Sequence, residues 1–339
     1  MRAFFINSPR KYKLGAVPRP EPAEDEVLIQ VKRMGLCGTD LKIYEGKNPL
    51  VSYPRIIGHE VGATIVEVGD RVARDLREGM NVAVYPGTHC GECSACQVGR
   101  YNCCRKNEIY GVQRNGALTE YLAVPEEKVY PSDSLSLEEL ALIEPLAVGM
   151  HAVSRSDVTA GESMAVFGTG MIGLSVIAGA ADRGAEVIGI DIDDEKLEVA
   201  EEAGANHVIN SRTEDLHMRL SDITDGEGPR ITLEAIGLAE TFRTAVEEVA
   251  FAGRVIYLGW VSGDVTYDTS PFIKKELDIR GSRNSMPEDF RNSIDLLERG
   301  KFPVERVIGS VVTLDETGEA IEAWSADPAS VYKIQVSMD

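Results

Sequence analysis

The sequence predicts an α/β protein with two domains, one of them β-rich and the other built around a doubly wound parallel sheet. Its 339 residues exceed the usual size of a single domain. Up to about residue 150, short runs of alternating hydrophobicity are separated by Gly and Pro turns, as in antiparallel strands. From about residue 151, apolar strands alternate with helical periods, which is typical of successive βαβ units.

The individual elements follow from these patterns. In the β-rich part we predict strands at residues 27–31, 63–68 and 81–84. In the parallel-sheet part we predict strands at 164–167, 187–190, 231–235 and 254–258, and helices at 172–181, 195–203 and 240–250. A helix at 288–299 and a strand at 332–336 follow, and this last strand is expected to return to the first domain. The run 255–258 is expected to be exposed and to offer a subunit contact.

Composition and charge exclude several classes of protein. The chain has 35 Lys and Arg against 55 Asp and Glu, a formal net charge of −20, which would repel a phosphate backbone and argues against nucleic-acid binding. An acidic surface also suits a saline cytoplasm. Residues 1–7 lack the plan of a signal peptide, so a cytoplasmic location is expected. Residues 163–181 carry no charge, but Gly168 and Gly170 turn a strand into a helix there, so we predict no membrane span.

A run of cysteines predicts a structural metal site. Cys90, Cys93, Cys96 and Cys104 are spaced so that one ion could gather all four thiolates, and four thiolates fill the tetrahedral coordination of zinc. An iron–sulfur site is the alternative, but the three-residue gap before the fourth Cys and the Pro after it are missing. Cys103 lies beside Cys104, so either could be the fourth ligand. The lobe that holds this zinc is expected at about residues 86–108.

Two further motifs indicate catalysis with a dinucleotide. Cys37, His59, Glu60 and Glu144 offer thiolate, imidazole and carboxylate donors. One ligand of each kind would leave zinc one open position. The second motif follows a predicted strand and consists of Gly168, Thr169, Gly170, Met171, Ile172 and Gly173. Its glycines allow the backbone to approach a pyrophosphate, and Asp191 at the end of the next strand can accept hydrogen bonds from a ribose. Asp193 and Asp194 would repel a 2′-phosphate, so NAD is favoured over NADP.

In this order along the chain, the motifs resemble those of the zinc-containing medium-chain alcohol dehydrogenases. Glu144 makes the chain most similar to the polyol, threonine and sugar-acid branch, because classical alcohol dehydrogenases have a cysteine ligand there. The resemblance implies a GroES-like catalytic domain at residues 1–150 and 283–339, and a Rossmann domain at 151–282. It also implies two zinc ions per chain, NAD as cofactor, and an active site between the domains. Homodimers and homotetramers are common in the family, so we expect one of these.

The resemblance also assigns roles to single residues. Cys37 and His59 would bind the catalytic zinc with either Glu60 or Glu144 as third ligand, and both glutamates stay open. Thr39 would pass the substrate proton outward. Lys42 stands where many relatives have His, so it either ends this relay or faces solvent. Lys196 matches a position that contacts the adenosine ribose.

The substrate is expected to be a polar alcohol. Arg283 and Asn284 fall in a segment that reaches substrate and nicotinamide in the family, and Arg suits a carboxylate, although a structural ion pair is an equal alternative. Tyr44 adds polar character near the metal-binding loops. We therefore predict reversible oxidation of a secondary alcohol to a ketone on a sugar acid or polyol. The alternatives are L-threonine, a vicinal diol such as butanediol, or a non-catalytic NAD-binding member of the fold.

Overall fold

The computed structural model describes residues 1–338, which form two compact units. The β-rich unit comprises Met1–Glu144, Met286–Glu298 and the chain from Val304 onward. The parallel-sheet unit comprises Pro145–Ser285 and Arg299–Pro303. Each unit has a hydrophobic core of its own. Within the described residues, no helix combines the length and the apolar character that crossing a membrane requires.

The described residues contain sixteen strands. They are β1 (Arg2–Ser8), β2 (Lys11–Ala16), β3 (Glu26–Leu36), β4 (Arg55–Ile56), β5 (Glu60–Val68), β6 (Asn81–Val84), β7 (Tyr121–Pro125), β8 (Val129–Pro131), β9 (Ser163–Phe167), β10 (Glu186–Asp191), β11 (His207–Asn210), β12 (Ile231–Glu234), β13 (Arg254–Tyr257), β14 (Asp278–Gly281), β15 (Ile308–Thr313) and β16 (Lys333–Ser337).

Twelve α-helices accompany these strands in the same part of the chain. They are α1 (Gly38–Tyr44), α2 (Ser94–Gln97), α3 (Leu137–Leu140), α4 (Ile143–Ser156), α5 (Met171–Asp182), α6 (Asp194–Glu202), α7 (Leu216–Ile223), α8 (Ala239–Glu248), α9 (Ser270–Lys274), α10 (Pro287–Glu298), α11 (Val304–Val307) and α12 (Thr317–Ala326). The uncharged run 163–181 forms β9 and most of α5, as predicted.

The main sheet of the β-rich unit brings distant segments together. Its strand order is β15-β16-β3-β5-β6-β8, and β7 also pairs with β3. β3 is antiparallel to both β5 and β16, with Gly35 opposite Glu60 and Leu36 opposite Ile334. The end of β3 therefore lies beside the start of β5 and the start of β16. This register positions the buried polar residues described below.

The six-stranded sheet of the other unit has the order β11-β10-β9-β12-β13-β14, and its strands are parallel. The predicted doubly wound α/β fold is confirmed. The expectation of an exposed strand at 255–258 is wrong, because β13 pairs on both sides and Val255 and Ile256 are fully buried. The sheet ends instead at β14, whose Asp278–Gly281 backbone takes the outer position.

An ion pair in the parallel-sheet unit gives a prediction on acid stability. Glu162 is bonded to Arg254 and accepts from Thr159 N at 2.9 Å, and the Arg254 bond is the largest of the effects that lower its pKa from 4.5 to about 2. Because the folded-state pKa is depressed, the stabilisation is present above pH 4.5 and is lost as pH falls to about 2.

We therefore expect Glu162→Gln to lower the free energy of unfolding at pH 7 by about 2 kcal/mol, allowing for partial exposure of the pair. The difference from the parent should vanish near pH 2, as measured by denaturant titration at several pH values. Glu240→Gln, which removes an exposed carboxylate on α8, is the control. If Glu162→Gln lowered the free energy of unfolding equally at pH 2 and at pH 7, the proposed dependence on the Glu162 charge would be wrong.

Candidate metal centres and dinucleotide site

Four cysteine sulfurs of the β-rich unit converge on one point. The Sγ atoms are 3.5 Å apart for Cys90–Cys104, 3.6 Å for Cys93–Cys96, 3.9 Å for Cys93–Cys104 and 4.0 Å for Cys90–Cys96. Four sulfurs around one zinc at 2.3 Å would be separated by about 3.8 Å, whereas a disulfide requires about 2.05 Å. All four thiols are free, so the spacing fits a tetrahedral metal site.

Backbone N–H groups support this cysteine cluster (Cys90, Cys93, Cys96 and Cys104). The amides of Cys90 and Lys106 both donate to Cys104 Sγ at 3.3 Å. Backbone hydrogen bonds from Arg105 and Cys96 lower the pKa of Cys93 to about 6, which favours the thiolate that a metal binds. The sulfur of Cys104 belongs to this cluster and that of the neighbouring Cys103 does not.

A second group of metal donors lies at the end of β3, where His59 and Glu60 are buried and Cys37 is half-buried. Cys37 follows this strand and caps α1, accepting a hydrogen bond from Thr39 N at 3.4 Å. His59 and Glu60 stand at the start of β5, which the sheet register places alongside. One atom each from Cys37, His59 and Glu60 lies within 4.8 Å of the others. We call these three residues the buried donor group.

Asp40 contacts the buried donor group and the backbone next to it. It is fully buried, accepts from Cys37 N at 3.0 Å and Gly58 N at 3.3 Å, and lies 4.0 Å from His59 Nδ1. These contacts hold the backbone on both sides of the metal donors. Sequence reasoning missed Asp40, although a capping box formed with Cys37 is a signal that was available.

The electrostatics of the group fit a bound cation. Burial lowers the pKa of His59, but the charges of Cys37, Asp40 and Glu144 together outweigh it, so the pKa is raised well above its usual value. His59 Nδ1 is buried and makes no hydrogen bond to a described residue. A divalent metal ion bound to these donors would offset the negative charge of the acidic side chains around His59.

Glu60 also has a buried partner on another strand. Lys333 Nζ, at the start of β16, lies 2.7 and 2.6 Å from the two carboxylate oxygens and 3.2 Å from the carbonyl of Leu36. Both side chains are almost completely buried. No local pattern predicts this pair, because its members are separated by 273 residues.

Glu144, at the start of α4, stands close to the same residues but outside the buried donor group. Burial raises its pKa to about 7, with a smaller contribution from Glu60, while His59 opposes the shift. Two glutamates therefore lie near Cys37 and His59, and the third metal ligand could be either Glu60 or Glu144.

In the parallel-sheet unit, the glycine-rich turn joins β9 to α5. Gly168 adopts φ +91°, and a Cβ on Gly173 would collide with the Gly168 carbonyl, so both positions require glycine. A Cβ on Gly170, the N-cap of α5, would meet no neighbouring atom of the protein. This opening at a helix N-terminus fits the close approach of a phosphate. Met171 and Ile172 form the first turn of α5.

Asp191 at the end of β10 holds this turn. One carboxylate oxygen accepts from Thr169 N at 2.8 Å and Thr169 Oγ1 at 3.1 Å, and the other accepts from Ile192 N at 2.7 Å. Carboxylate oxygens retain further acceptor capacity after such bonds. Lys196 lies in the first turn of α6, partly exposed.

The residues predicted to relay the proton or to bind the substrate differ in how far they are exposed. Thr39 is half-buried beside Cys37, and Lys42 is exposed. Arg283 is exposed and Asn284 has φ +49°, both in the parallel-sheet unit just before the chain re-enters the β-rich unit. Tyr44 does not fit a substrate contact, because it is 3% exposed and packs in the core with its hydroxyl 3.4 Å from Glu322.

Comparison with known proteins identifies the family of this chain. Residues 23–134 match the alcohol dehydrogenase GroES-like domain and residues 172–299 match the zinc-binding dehydrogenase family. L-galactonate-5-dehydrogenase from Escherichia coli is 35% identical, covering 88% of this chain and 89% of that protein. Sorbitol dehydrogenase from Bacillus subtilis is 34% identical, covering 95% and 93%. A crystal structure of an E. coli alcohol dehydrogenase with NADH is 29% identical, with TM-score 0.92 and coverage of 100% and 99%.

A doubly wound dinucleotide unit joined to a β-rich unit with buried metal donors defines a metal-dependent dehydrogenase. The chain belongs to the zinc-type alcohol dehydrogenases, and within them to the branch that contains polyol and sugar dehydrogenases.

The Glu60–Lys333 pair gives a prediction on stability. Lys333→Met would leave a buried carboxylate without its partner, so we expect the free energy of unfolding to fall by about 3–5 kcal/mol in denaturant titrations. Glu60→Gln combined with Lys333→Met should recover part of this loss, because the uncompensated charge is then gone. A Lys333→Met variant as stable as the parent would mean that the pair contributes nothing.

Proposed function

We propose that the chain is an NAD-linked dehydrogenase that interconverts a secondary alcohol and a ketone on a polar, polyhydroxy substrate, most favourably a sugar acid or a polyol. The observation that carries this proposal is the buried donor group of Cys37, His59 and Glu60, present in the same chain as a glycine-rich dinucleotide motif. Thiolate, imidazole and carboxylate are the ligands of catalytic zinc sites, which keep one position open for substrate.

The residues of this chain would hold two zinc ions. The cysteine cluster would bind a structural ion, because its four thiolates leave no position for substrate. The buried donor group would bind a catalytic ion, with Glu60 or Glu144 as third ligand. When bound there, zinc supplies a Lewis acid that lowers the pKa of the substrate hydroxyl. Asp40 would keep Cys37 and His59 in place, and Lys333 would balance the charge of Glu60.

Thr39 and Lys42 are proposed to move the substrate proton outward. They are three residues apart on α1, so they share one face of the helix. The half-buried Thr39 follows the metal donor Cys37 closely, and the exposed Lys42 reaches solvent. Thr39 Oγ1 would accept the proton from the substrate hydroxyl while its own hydroxyl proton passes outward to solvent, and Lys42 would stand at the solvent end of this path.

NAD is the proposed cofactor. Gly168, Gly170 and Gly173 would admit its pyrophosphate at the N-terminus of α5, and Asp191 would accept from its ribose hydroxyls. Asp193 caps α6 and Asp194 is in its first turn, so a 2′-phosphate would meet negative charge there. Lys196 would contact the same ribose. One similar dehydrogenase was crystallised with NADH and another with NADP, so the choice of NAD is supported by Asp193 and Asp194 alone.

A sugar acid or polyol is proposed as substrate for two reasons: the polar residues Arg283 and Asn284, and the substrates named for similar proteins. Arg283 and Asn284 would bind a carboxylate or several hydroxyls. The relatives named above act on L-galactonate and sorbitol by their names. Threonine and vicinal diols are kept in the test below, since they were the alternatives raised by the sequence.

The proposal is tested by following NADH formation at 340 nm with zinc supplied, across hexonates, polyols, L-threonine and butanediol. We expect the highest kcat/KM for a hexonate or a polyol, and a lower value with NADP than with NAD. If a hexonate is preferred, Arg283→Met should raise KM for it much more than for a neutral polyol. Absence of turnover across the panel, in protein that binds two zinc ions and NADH, would favour a non-catalytic member of the fold.

A further inference from the structure

Glu234, the last residue of β12, is a fully buried acid to which none of the roles above is assigned. Its Oε1 atom accepts three hydrogen bonds, from Ile236 N at 2.9 Å, Gly237 N at 2.8 Å and Thr241 Oγ1 at 2.7 Å. These donors belong to the loop that follows β12 and to the first turn of α8. The side chain therefore fastens this loop to the strand that precedes it.

The same carboxylate lies near the N-terminus of α8, where its bond from Thr241 Oγ1 reaches the first turn. Leu238 is the N-cap residue of α8 and its apolar side chain cannot accept a hydrogen bond. A negative charge near a helix N-terminus is favourable, and here the preceding strand supplies it. Burial raises the pKa of Glu234, while the hydrogen bonds from Gly237, Thr241 and Ile236 favour the ionised form.

The backbone of Glu234 fastens a second loop. Its carbonyl accepts from Leu258 N and Gly259 N, both at 2.9 Å, just after β13. A Cβ on Gly259 would collide with Glu234 Oε2, and a Cβ on Gly237 would come within 2.8 Å of the Trp260 carbonyl. The loops after β12 and β13 thus pack tightly on each other and on Glu234.

These loops lie at the edge of the sheet where a dinucleotide would bind. β9, which ends in the glycine-rich turn, is flanked by β10 on one side and by β12 on the other. The strands are parallel, so the ends of all three meet at one edge, and the strand order reverses direction between β9 and β12. Ile236 packs directly against Gly168: a Cβ placed on Gly168 would lie 2.6 Å from Ile236 Cγ1.

The two halves of a dinucleotide would then lie on different strands. Asp191, at the end of β10, is the proposed contact of the adenosine ribose. With the pyrophosphate at the turn after β9, the nicotinamide half would extend to the opposite side, towards the loops after β12 and β13. Ile236, Leu238 and Trp260 on these loops are 44, 56 and 73% exposed, so apolar side chains face outward there.

We propose that Glu234 is a positioning residue that shapes the nicotinamide side of the dinucleotide site by holding the loops after β12 and β13 together. The inference rests on the proposed NAD-linked function. It assigns Glu234 no contact with the reacting atoms. Its consequence is that loss of the carboxylate weakens binding of one half of the cofactor and leaves the other half unaffected.

The experiment compares NADH with ADP-ribose, which lacks the nicotinamide. Kd values for both are measured by calorimetry for the parent and for Glu234→Ala, Glu234→Gln and Glu240→Gln. Glu240→Gln is the matched control, since it removes an exposed carboxylate from the first turn of the same helix. Tryptophan emission provides a second readout, because Trp260 is exposed on the affected loop whereas Trp324, the other tryptophan, is 9% exposed.

For Glu234→Ala we expect the Kd for NADH to rise about tenfold, since three donors lose their acceptor, and the Kd for ADP-ribose to change less than about twofold. Glu234→Gln keeps one acceptor oxygen but loses the charge, so we expect a selective loss of NADH affinity that is smaller than in Glu234→Ala. The emission of Trp260 should change in Glu234→Ala and stay as in the parent in Glu240→Gln. If Glu234→Ala does not fold, a selective loss of NADH affinity in Glu234→Gln carries the same information.

Equal weakening of both ligands, or unchanged NADH binding in Glu234→Ala, would overturn the positioning role while leaving the NAD-linked function intact. A parent protein that binds neither NADH nor ADP-ribose would instead overturn the proposed function, and this inference with it.

Discussion

Replacing Cys37 with Ala is expected to reduce kcat/KM for alcohol oxidation by at least about a thousandfold, because a catalytic metal contributes several kcal/mol of transition-state stabilisation. The zinc content should fall from two ions per chain to one. The affinity for NADH should change little, since the glycine-rich turn belongs to the other compact unit. Steady-state kinetics, elemental analysis and calorimetric titration measure these three effects.

Cys37 also caps α1, so the Ala variant removes a hydrogen bond as well as a metal donor. Cys37→Ser separates the two effects: its hydroxyl can still cap the helix but is a poor ligand for zinc. We expect the Ser variant to fold as the parent does and to be nearly as inactive as the Ala variant. Retention of parental activity in Cys37→Ala would remove Cys37 from the catalytic site.

Replacing Cys93 with Ala is expected to release the ion of the cysteine cluster and to destabilise the segment around it. Structural zinc contributes apparent binding free energies of about 10–16 kcal/mol in small domains, so its loss should let this segment unfold locally. The segment contains Arg100 and Arg105, and trypsin should cleave there far faster in the variant. The thermal unfolding temperature should also fall.

Cys103→Ala is the matched control for this experiment. Cys103 is in the same loop but outside the cysteine cluster, so its variant should keep two zinc ions and resist trypsin like the parent. If Cys93→Ala and Cys103→Ala behave alike, the assignment of the four sulfur ligands is wrong.

Hydrophobic periodicity and the placement of glycine predicted most of the fold. The alternation after residue 151 predicted a doubly wound sheet because buried parallel strands need apolar runs and the connecting helices need a period of 3.6 residues. The same patterns led to a wrong prediction of which strand lies exposed at the edge of this sheet. Arg254–Tyr257 and Asp278–Gly281 are both short strands, and only the pairing of β13 with β14 decides which of them is outermost.

Local spacing was informative where donor atoms lie close in sequence. The four cysteines were found because their separations are small, and the glycine-rich motif because it joins two adjacent elements. Tyr44 shows the opposite case: its side chain was expected to face the substrate, but the sheet and α12 enclose it. The amphipathic character of a tyrosine suits either environment, so sequence did not distinguish them.

The sequence by itself determined which chemical groups are available: thiolates, one histidine flanked by Gly and Glu, carboxylates, and glycines where a backbone must turn. Only the tertiary structure decided how these groups are held. Asp40 lies behind His59, Lys333 neutralises Glu60, and Glu234 fastens two loops, because strand pairing joins positions far apart along the chain. Each of these buried polar groups needs a partner, since an unpaired charge in the interior costs several kcal/mol. No local sequence pattern predicts which residue that partner is.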